Sequence, residues 1–297
     1  MSMRFLSAIG FFLTLCISVL AEEPQKIHSY DPDVKAYPIQ RQIEYVYLLE
    51  NKGNTVQKDV RLMIYAPVSR TPFQSCKSIE TTRPSIIHKD ELGNQVLEFS
   101  IPQMAPFETV IIKTTVDLQL SSTAQPAGNG DVTLFTGKAP FIEIDDPEIV
   151  KLSKSLTAGN PGGSSENIYR WICENIKKSG YTAQDLGASE ALKCKAGDCS
   201  EKAYLFCALA RVALIPAQYH SGYYVTKNSV LKPFQFHNWA AWHDGKSWQI
   251  ADPQLKKFQK EPENFISFTI DGGSSGKLMA GMHRYHINST VIDVSMK

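Results

Sequence analysis

The sequence predicts an α+β protein, a strand-rich N-terminal half folding as a β-sandwich and a second domain in which helices lead into strands. Three observations carry this. First, residues 37–120 hold four segments, Ile39–Leu49, Val60–Tyr65, Val96–Ile101 and Thr109–Leu120, that alternate or run apolar and β-branched. Second, Asn51-Lys52-Gly53-Asn54 and Asp90-Glu91-Leu92-Gly93-Asn94 supply the turns between them. Several short strands with such punctuation suggest two packed sheets. Third, the periodicity becomes helical over 147–157, 165–178 and 199–214, and strands follow at 217–226, 234–243 and 246–252.

The chain divides accordingly. Arg4, the apolar run from Phe5 to Leu20, and Val19-Leu20-Ala21 before Glu22 read as a secretory signal peptide over 1–21. Residues 22–36 form a leader, 37–120 the β-sandwich, and 121–131 a linker rich in Ser, Ala, Pro and Gly. The second domain covers 132–297 and closes with one strand over Tyr285–Ile292. No later segment is apolar enough to span a bilayer, so the expected product is secreted or periplasmic and not an integral membrane protein.

Composition narrows the function classes. A length of 297 residues suits about two domains, and 43% hydrophobic with 21% charged residues is ordinary for globular proteins. A formal net charge of +1, without a basic patch interleaved with aromatics, argues against nucleic acid as a partner. Cysteine usage is more telling. Removing the signal takes Cys16; setting Cys199 aside leaves Cys76, Cys173, Cys194 and Cys207, enough for up to two disulfides in an oxidising compartment. Cys194 has a second reading, as a reversible partner of Cys199. No spacing fits a zinc site, so neither metal nor cofactor is expected. His283 and His286 read as a feature of a surface strand.

Cys199, His237 and Asp252 are the candidate chemistry. Ala203, Phe206, Cys207, Ala210, Ala213 and Leu214 follow the helical period, and Leu205, Leu209 and Val212 make the other side apolar too. The helix is therefore expected to be largely buried. Asp198 falls at its N-cap with Glu201 three residues on, a capping-box pattern, and Gly197 permits a tight approach. Cys199 then takes the first helical position, where unpaired N–H groups and the helix dipole favour a thiolate. A two-residue Asp244-Gly245 hairpin loop would pair His243 with Lys246 and, further down, His237 directly with Asp252. Directly paired Cβ atoms lie about 4.5–5.5 Å apart, on one face, close enough for an imidazole–carboxylate hydrogen bond. Trp239 and Ile250 continue that face as a screen from water. The plainer alternatives are a structural His–Asp pair and a cysteine that merely fills core space.

The combination of Gly-Asp-Cys-Ser-Glu-Lys-Ala-Tyr, Ala210–Ala217, Ser221-Gly222-Tyr223, His237-Asn238-Trp239 and Trp248 with Asp252-Pro253 resembles the transglutaminase-like superfamily. The resemblance spans about 130–258, with Asp146-Pro147-Glu148-Ile149 and the helix around Ile168–Ile176 fitting the lead-in of bacterial members. It implies a papain-like core, with Cys199 as nucleophile, His237 as base and Asp252 as its orienting carboxylate. It also implies that the preceding β-sandwich matches a domain found ahead of some secreted members. Two departures stand out: Gln218 follows Ile215-Pro216-Ala217 where the family usually has Arg, and Ala240 and Ala241 stand where an acidic residue often follows the family His.

The chemistry so implied is acyl transfer through a thioester on a peptide or protein substrate, with hydrolysis by an amidase or protease favoured over cross-linking. The Cys199 N–H serves as one oxyanion donor; Tyr181 and Gln184 lie upstream where related enzymes place a second. A non-catalytic binding or scaffold protein of the same fold is the alternative of a different class.

Overall fold

The computed structural model describes residues 25–28, 35–126, 131–180, 184–271, 278–279 and 284–297, so the expected signal peptide lies outside the described residues. In the N-terminal half, side-chain alternation does what the sequence suggests. Ile43, Tyr45, Tyr47 and Leu49 of Ile39–Asn51 are buried, as are Val110, Ile112, Val116 and Leu118 of Thr109–Leu120. These two long strands pair antiparallel from Ile39 with Leu120 to Glu50 with Thr109. A facing sheet runs in the order Tyr285–Ile287, Gln57–Ala66, Gln95–Met104, Ile86–Lys89. Its Val60, Leu62, Ile64, Leu97, Phe99 and Ile101 complete one apolar core with the first sheet.

Three features were not expected from the sequence. Gln74–Thr81 is a strand beside Thr109–Leu120, but a bulge between Cys76 and Ser78 breaks its alternation and hides the period. In place of a single strand over 285–292 in the second domain, the C-terminal segment forms two strands on the first. Tyr285–Ile287 pairs with Leu62–Ile64, and Ile292–Met296 pairs with Tyr47–Asn51. Asn288 fixes the crossing between sheets, accepting from the Arg61 N–H at 2.8 Å and donating to the Asp59 carbonyl at 2.9 Å. Part of the expected leader is a strand as well, since Gln25–His28 pairs with Ser78–Thr81.

The second domain sets four helices, α1 (Pro147–Leu156), α2 (Pro161–Asn175), α3 (Gly187–Cys194) and α4 (Cys199–Val212), around an antiparallel five-stranded sheet. The sheet order is Lys257–Phe258, Trp248–Asp252, Phe236–His243, Ala217–Tyr224, Phe265–Asp271. α2 begins at Pro161, earlier than the expected 165, because the Asn160 side chain accepts the Gly163 N–H at 2.8 Å and Pro161 fits the first helical position. α4 is buried from Ser200 to Arg211 and shares a core with Ala240, Trp242 and Ala251 of the sheet. It stops at Val212 because Leu214 turns left-handed (φ 60°), and the Arg211 guanidinium then donates to the carbonyls of Ala217 and Gly137. No described helix is long and apolar enough to cross a bilayer.

The two domains share hydrophobic contacts, since Tyr223, Val225, Ile266 and Phe268 enter the sandwich core. Gly222 makes that seam possible: a Cβ there would sit 2.0 Å from the Ile266 carbonyl oxygen, a backbone atom that cannot yield. Gly222→Ala should therefore cost about 3 kcal/mol or more, at the upper end of overpacking penalties, read as a lower urea midpoint.

Candidate active site

Each of the three predicted side chains is held by a separate device. At Cys199 the device is the helix cap. Asp198 accepts the Ser200 N–H at 2.8 Å, and Glu201 reaches back to accept the Asp198 N–H at 3.0 Å, the expected capping box. The second Glu201 oxygen accepts from the Leu186 N–H at 3.2 Å, tying the helix start to the loop before α3. Burial raises the Glu201 carboxyl, with Asp198 adding to the shift. Gly197 is required because its Cβ would fall 2.6 Å from that of Glu201.

His237 and Asp252 meet, though by a route other than the expected one. The imidazole Nε2 lies 2.6 Å from the Asp252 Oδ2. The hairpin register, however, places His243 opposite Trp248 and Ala240 opposite Ala251. The turn centres on Gly245-Lys246, not on Asp244-Gly245. Gly245 takes φ 99°, and Asp244 Oδ1 accepts from the N–H groups of Lys246 and Ser247 at 2.7 and 2.8 Å. Moving the turn by one residue moves the register by two. The pair becomes diagonal but keeps its face, because a shift of two preserves the side-chain alternation.

Asp252 is fully buried and fully satisfied. Its Oδ1 accepts from the N–H groups of Gln254 and Leu255 at 2.8 and 3.0 Å, leaving Oδ2 for the ring. With Nε2 committed to Asp252, Nδ1 is the nitrogen left for the Cys199 thiol, which lies within hydrogen-bonding reach of the ring. Burial opposes a charged imidazole here, but the bonds to Asp252 and to Cys199 outweigh it and raise His237 to about 9. Trp239, fully buried, stacks on the ring with centroids 6.1 Å apart, and joins Ile250 and Phe265 in an apolar wall.

Two residues that were only motif letters in the sequence have clear places. The Asn238 amide donates to the Ser200 hydroxyl at 2.8 Å and lies 3.8 Å from the Cys199 sulfur. Its position next to the predicted His, on the helix-facing side of the strand, was the available signal. Gln218 accepts a hydrogen bond from His220 at 3.0 Å, which an arginine, having no acceptor, cannot do. His220 is buried against Trp239 and pushed down to about 3 by that burial, so it is neutral. Tyr181 and His283 lie outside the described residues; Gln184 is exposed in the loop before α3, and His286 is exposed on its strand.

The five described cysteines, Cys76, Cys173, Cys194, Cys199 and Cys207, are all unbridged, against the disulfide expectation. Cys76 and Cys207 belong to different hydrophobic cores, Cys194 is exposed at the end of α3, and Cys173 donates to the Pro253 carbonyl at 3.6 Å. Burial raises the thiols of Cys173 and Cys207, the latter to about 12, and the Glu190 carboxylate raises Cys194.

The comparisons with known proteins concern the segment that carries these residues and the fold around it. Residues 151–253 match the model of the transglutaminase-like superfamily. This segment is a transglutaminase-like domain. The whole chain resembles the solved structure of a candidate cysteine protease from Cytophaga hutchinsonii, with 18% identity, a TM-score of 0.57, and coverage of 87% of this chain and 92% of the other. That likeness is one of fold, a mixed helix-and-strand domain preceded by a sheet-rich region. The periplasmic domain of TgpA from Pseudomonas aeruginosa is more distant, at 13% identity and TM-score 0.36, over 74% of this chain and 89% of the other. No curated protein matches the chain.

The transglutaminase-like domain makes a direct prediction for its histidine. In Asp252→Asn the raising hydrogen bond to a charge is lost while burial remains, so the His237 ring should titrate well below its value of about 9. Ring-proton NMR titration of both proteins checks this. The same shift has a stability consequence. Because the folded value lies above 6.5, the stabilisation is complete below about pH 6.5 and fades as pH rises through about 9. Asp252→Asn should flatten that decline in urea midpoints measured across the range.

Proposed function

We propose that the protein is a secreted cysteine-nucleophile enzyme that transfers acyl groups from peptide-like amides through a thioester. The supporting observation is the buried His237–Asp252 pair set against the capped start of α4, where Cys199 stands. The ring is cationic at neutral pH, so it stores the proton that the thiol gives up and neutralises the resulting thiolate. The sulfur attacks the carbonyl carbon, and the carbonyl π electrons move to oxygen. The Cys199 N–H, unpaired at the helix start, meets the developing oxyanion. Collapse of the tetrahedral adduct expels the amine, which takes its proton from His237 and leaves a thioester on Cys199. Asp252 holds the ring orientation throughout.

Water then releases the acid, or an amine takes the acyl group. Hydrolysis is the favoured outcome, because the solved structure that this chain resembles in fold over most of its length is that of a candidate cysteine protease. The N-terminal β-sandwich contributes packing to the sheet that carries the histidine. Secretion follows from the apolar segment that ends at Ala21.

Alkylation tests the nucleophile. Cys173, Cys194 and Cys207 are all held above the ordinary thiol range, so iodoacetamide at pH 7 should label Cys199 first, and Cys199→Ala should remove the fast phase. Uniformly slow labelling would favour the non-catalytic scaffold instead. The acyl acceptor is read by incubating a glutamine-containing peptide with a labelled amine. Release of ammonia or a cleaved chain without label is the expected result, and incorporated label would make the enzyme a cross-linker. Amide turnover should fall as pH rises through about 9, where the ring loses the proton that the leaving amine requires.

A further inference from the structure

Gln218 and Ala241, two of the residues that depart from the family pattern, are direct cross-strand partners. Their side chains lie on the sheet face of His237 and Trp239, away from α4, because 237, 239 and 241 alternate with the helix-packed Asn238, Ala240 and Trp242. An arginine facing an acid would occupy the space above this pair; a glutamine facing an alanine leaves it open. A cavity of about 420 Å³ lies there, in the seam between the domains, with Arg70, Phe73 and Leu92 of the sandwich half bounding its other side. Close-packed interiors do not leave such a space by default, and its size and place are those of small-ligand sites.

The cavity floor carries a directed chain of hydrogen bonds. Ser267 Oγ lies 2.9 Å from His220 Nδ1, and Gln218 Oε1 lies 3.0 Å from His220 Nε2. Because His220 is neutral and donates through Nε2 to Gln218, its Nδ1 accepts from the Ser267 hydroxyl. All three side chains are more than nine-tenths buried. Gln218 lines the cavity, and its Nε2 donors meet no acceptor among the described residues. A ligand must offer an oxygen acceptor at that point. The walls are aromatic, with Phe73 and Phe265 in one apolar cluster and Phe135 and Trp248 in another, the latter two edge to face at 5.3 Å. Charge does not decide the ligand: exposed Lys89 and Glu91 oppose each other, and Arg70 is bonded to the Tyr37 hydroxyl at 3.2 Å. A neutral donor in a mixed-charge setting suits a neutral carbonyl.

We propose that this cavity binds an internal peptide residue with an aromatic side chain, its ring against Phe73, Phe265 and Trp248 and a backbone carbonyl accepting from Gln218 Nε2. The site is independent of whether Cys199 is a nucleophile, since Trp239, stacked 6.1 Å from the His237 ring and 5.6 Å from that of His220, stands between them. The full-length Cys199→Ala protein is titrated with N-acetylphenylalaninamide, and binding is read from tryptophan fluorescence, to which Trp248 in the cavity wall contributes. A saturable change is expected. In the same background Ala241→Leu, which fills the cavity from its floor, should weaken binding about ten-fold or more, and Gln218→Met, which removes the donor at similar length, about five-fold. Because methionine leaves His220 without its acceptor, Ala241→Leu, which only adds to empty space, decides the matter if Gln218→Met does not fold. Absence of saturable binding, or equal affinity before and after Ala241→Leu, overturns the site. Equal binding of N-acetylglycinamide overturns the aromatic side chain. A preference of about ten-fold or more for N-acetylphenylalanine, with its free carboxylate, overturns the internal residue in favour of a chain terminus.

Discussion

The buried carboxylate of Asp252 is the constraint on which the site depends. A charge without solvent access is tolerated only when its lone pairs are filled, and here two backbone amides and one imidazole nitrogen fill them. The two amides belong to the turn that immediately follows, so the carboxylate is fixed by local chain geometry before any partner arrives. The third bond then dictates the ring's orientation and which nitrogen faces the sulfur. Around it the apolar wall of Trp239, Ile250 and Phe265 keeps water from competing.

The helix that carries the sulfur is fixed by an equally local device. Asp198 and Glu201 satisfy each other's neighbouring N–H groups, and the glycine before them leaves room for the Glu201 side chain. Buried from Ser200 to Arg211, α4 cannot slide against the sheet, so the distance from thiol to ring is a property of the core. The Asn238–Ser200 hydrogen bond joins strand to helix just beneath the sulfur. Substituting Gln218 for an arginine gives neutral His220 an acceptor, which keeps the far side of Trp239 free of a second buried charge.

The candidate site was legible because its signals are local. A capping box, a first helical position and strand parity need only a few consecutive residues. The hairpin shows how such reasoning succeeds and where it stops. The turn was placed one residue early, yet His237 and Asp252 still share a face because the error in register is even. What the sequence concealed depends on distant residues. The bulge at Cys76 and Ser78 erased the alternation of Gln74–Thr81, and α3 is too short for a period to declare itself. The pairing of Ile292–Met296 with Tyr47–Asn51 joins segments almost the whole chain apart, beyond the range of any pattern.

That last pairing bears on how the molecule is assembled. Strand Ile39–Asn51 meets Thr109–Leu120 along one edge early in synthesis, but its other edge waits for Ser229–Val230 and then for Ile292–Met296. Until residues 292–296 have been synthesised, the backbone donors and acceptors of Tyr47–Asn51 stay open on that side of the emerging sandwich. The transglutaminase-like segment is thus threaded between two parts of one scaffold, and the order of synthesis obliges it to mature before that scaffold closes. Protection of this edge by a chaperone, or rapid collapse of the intervening domain, becomes a condition of high yield.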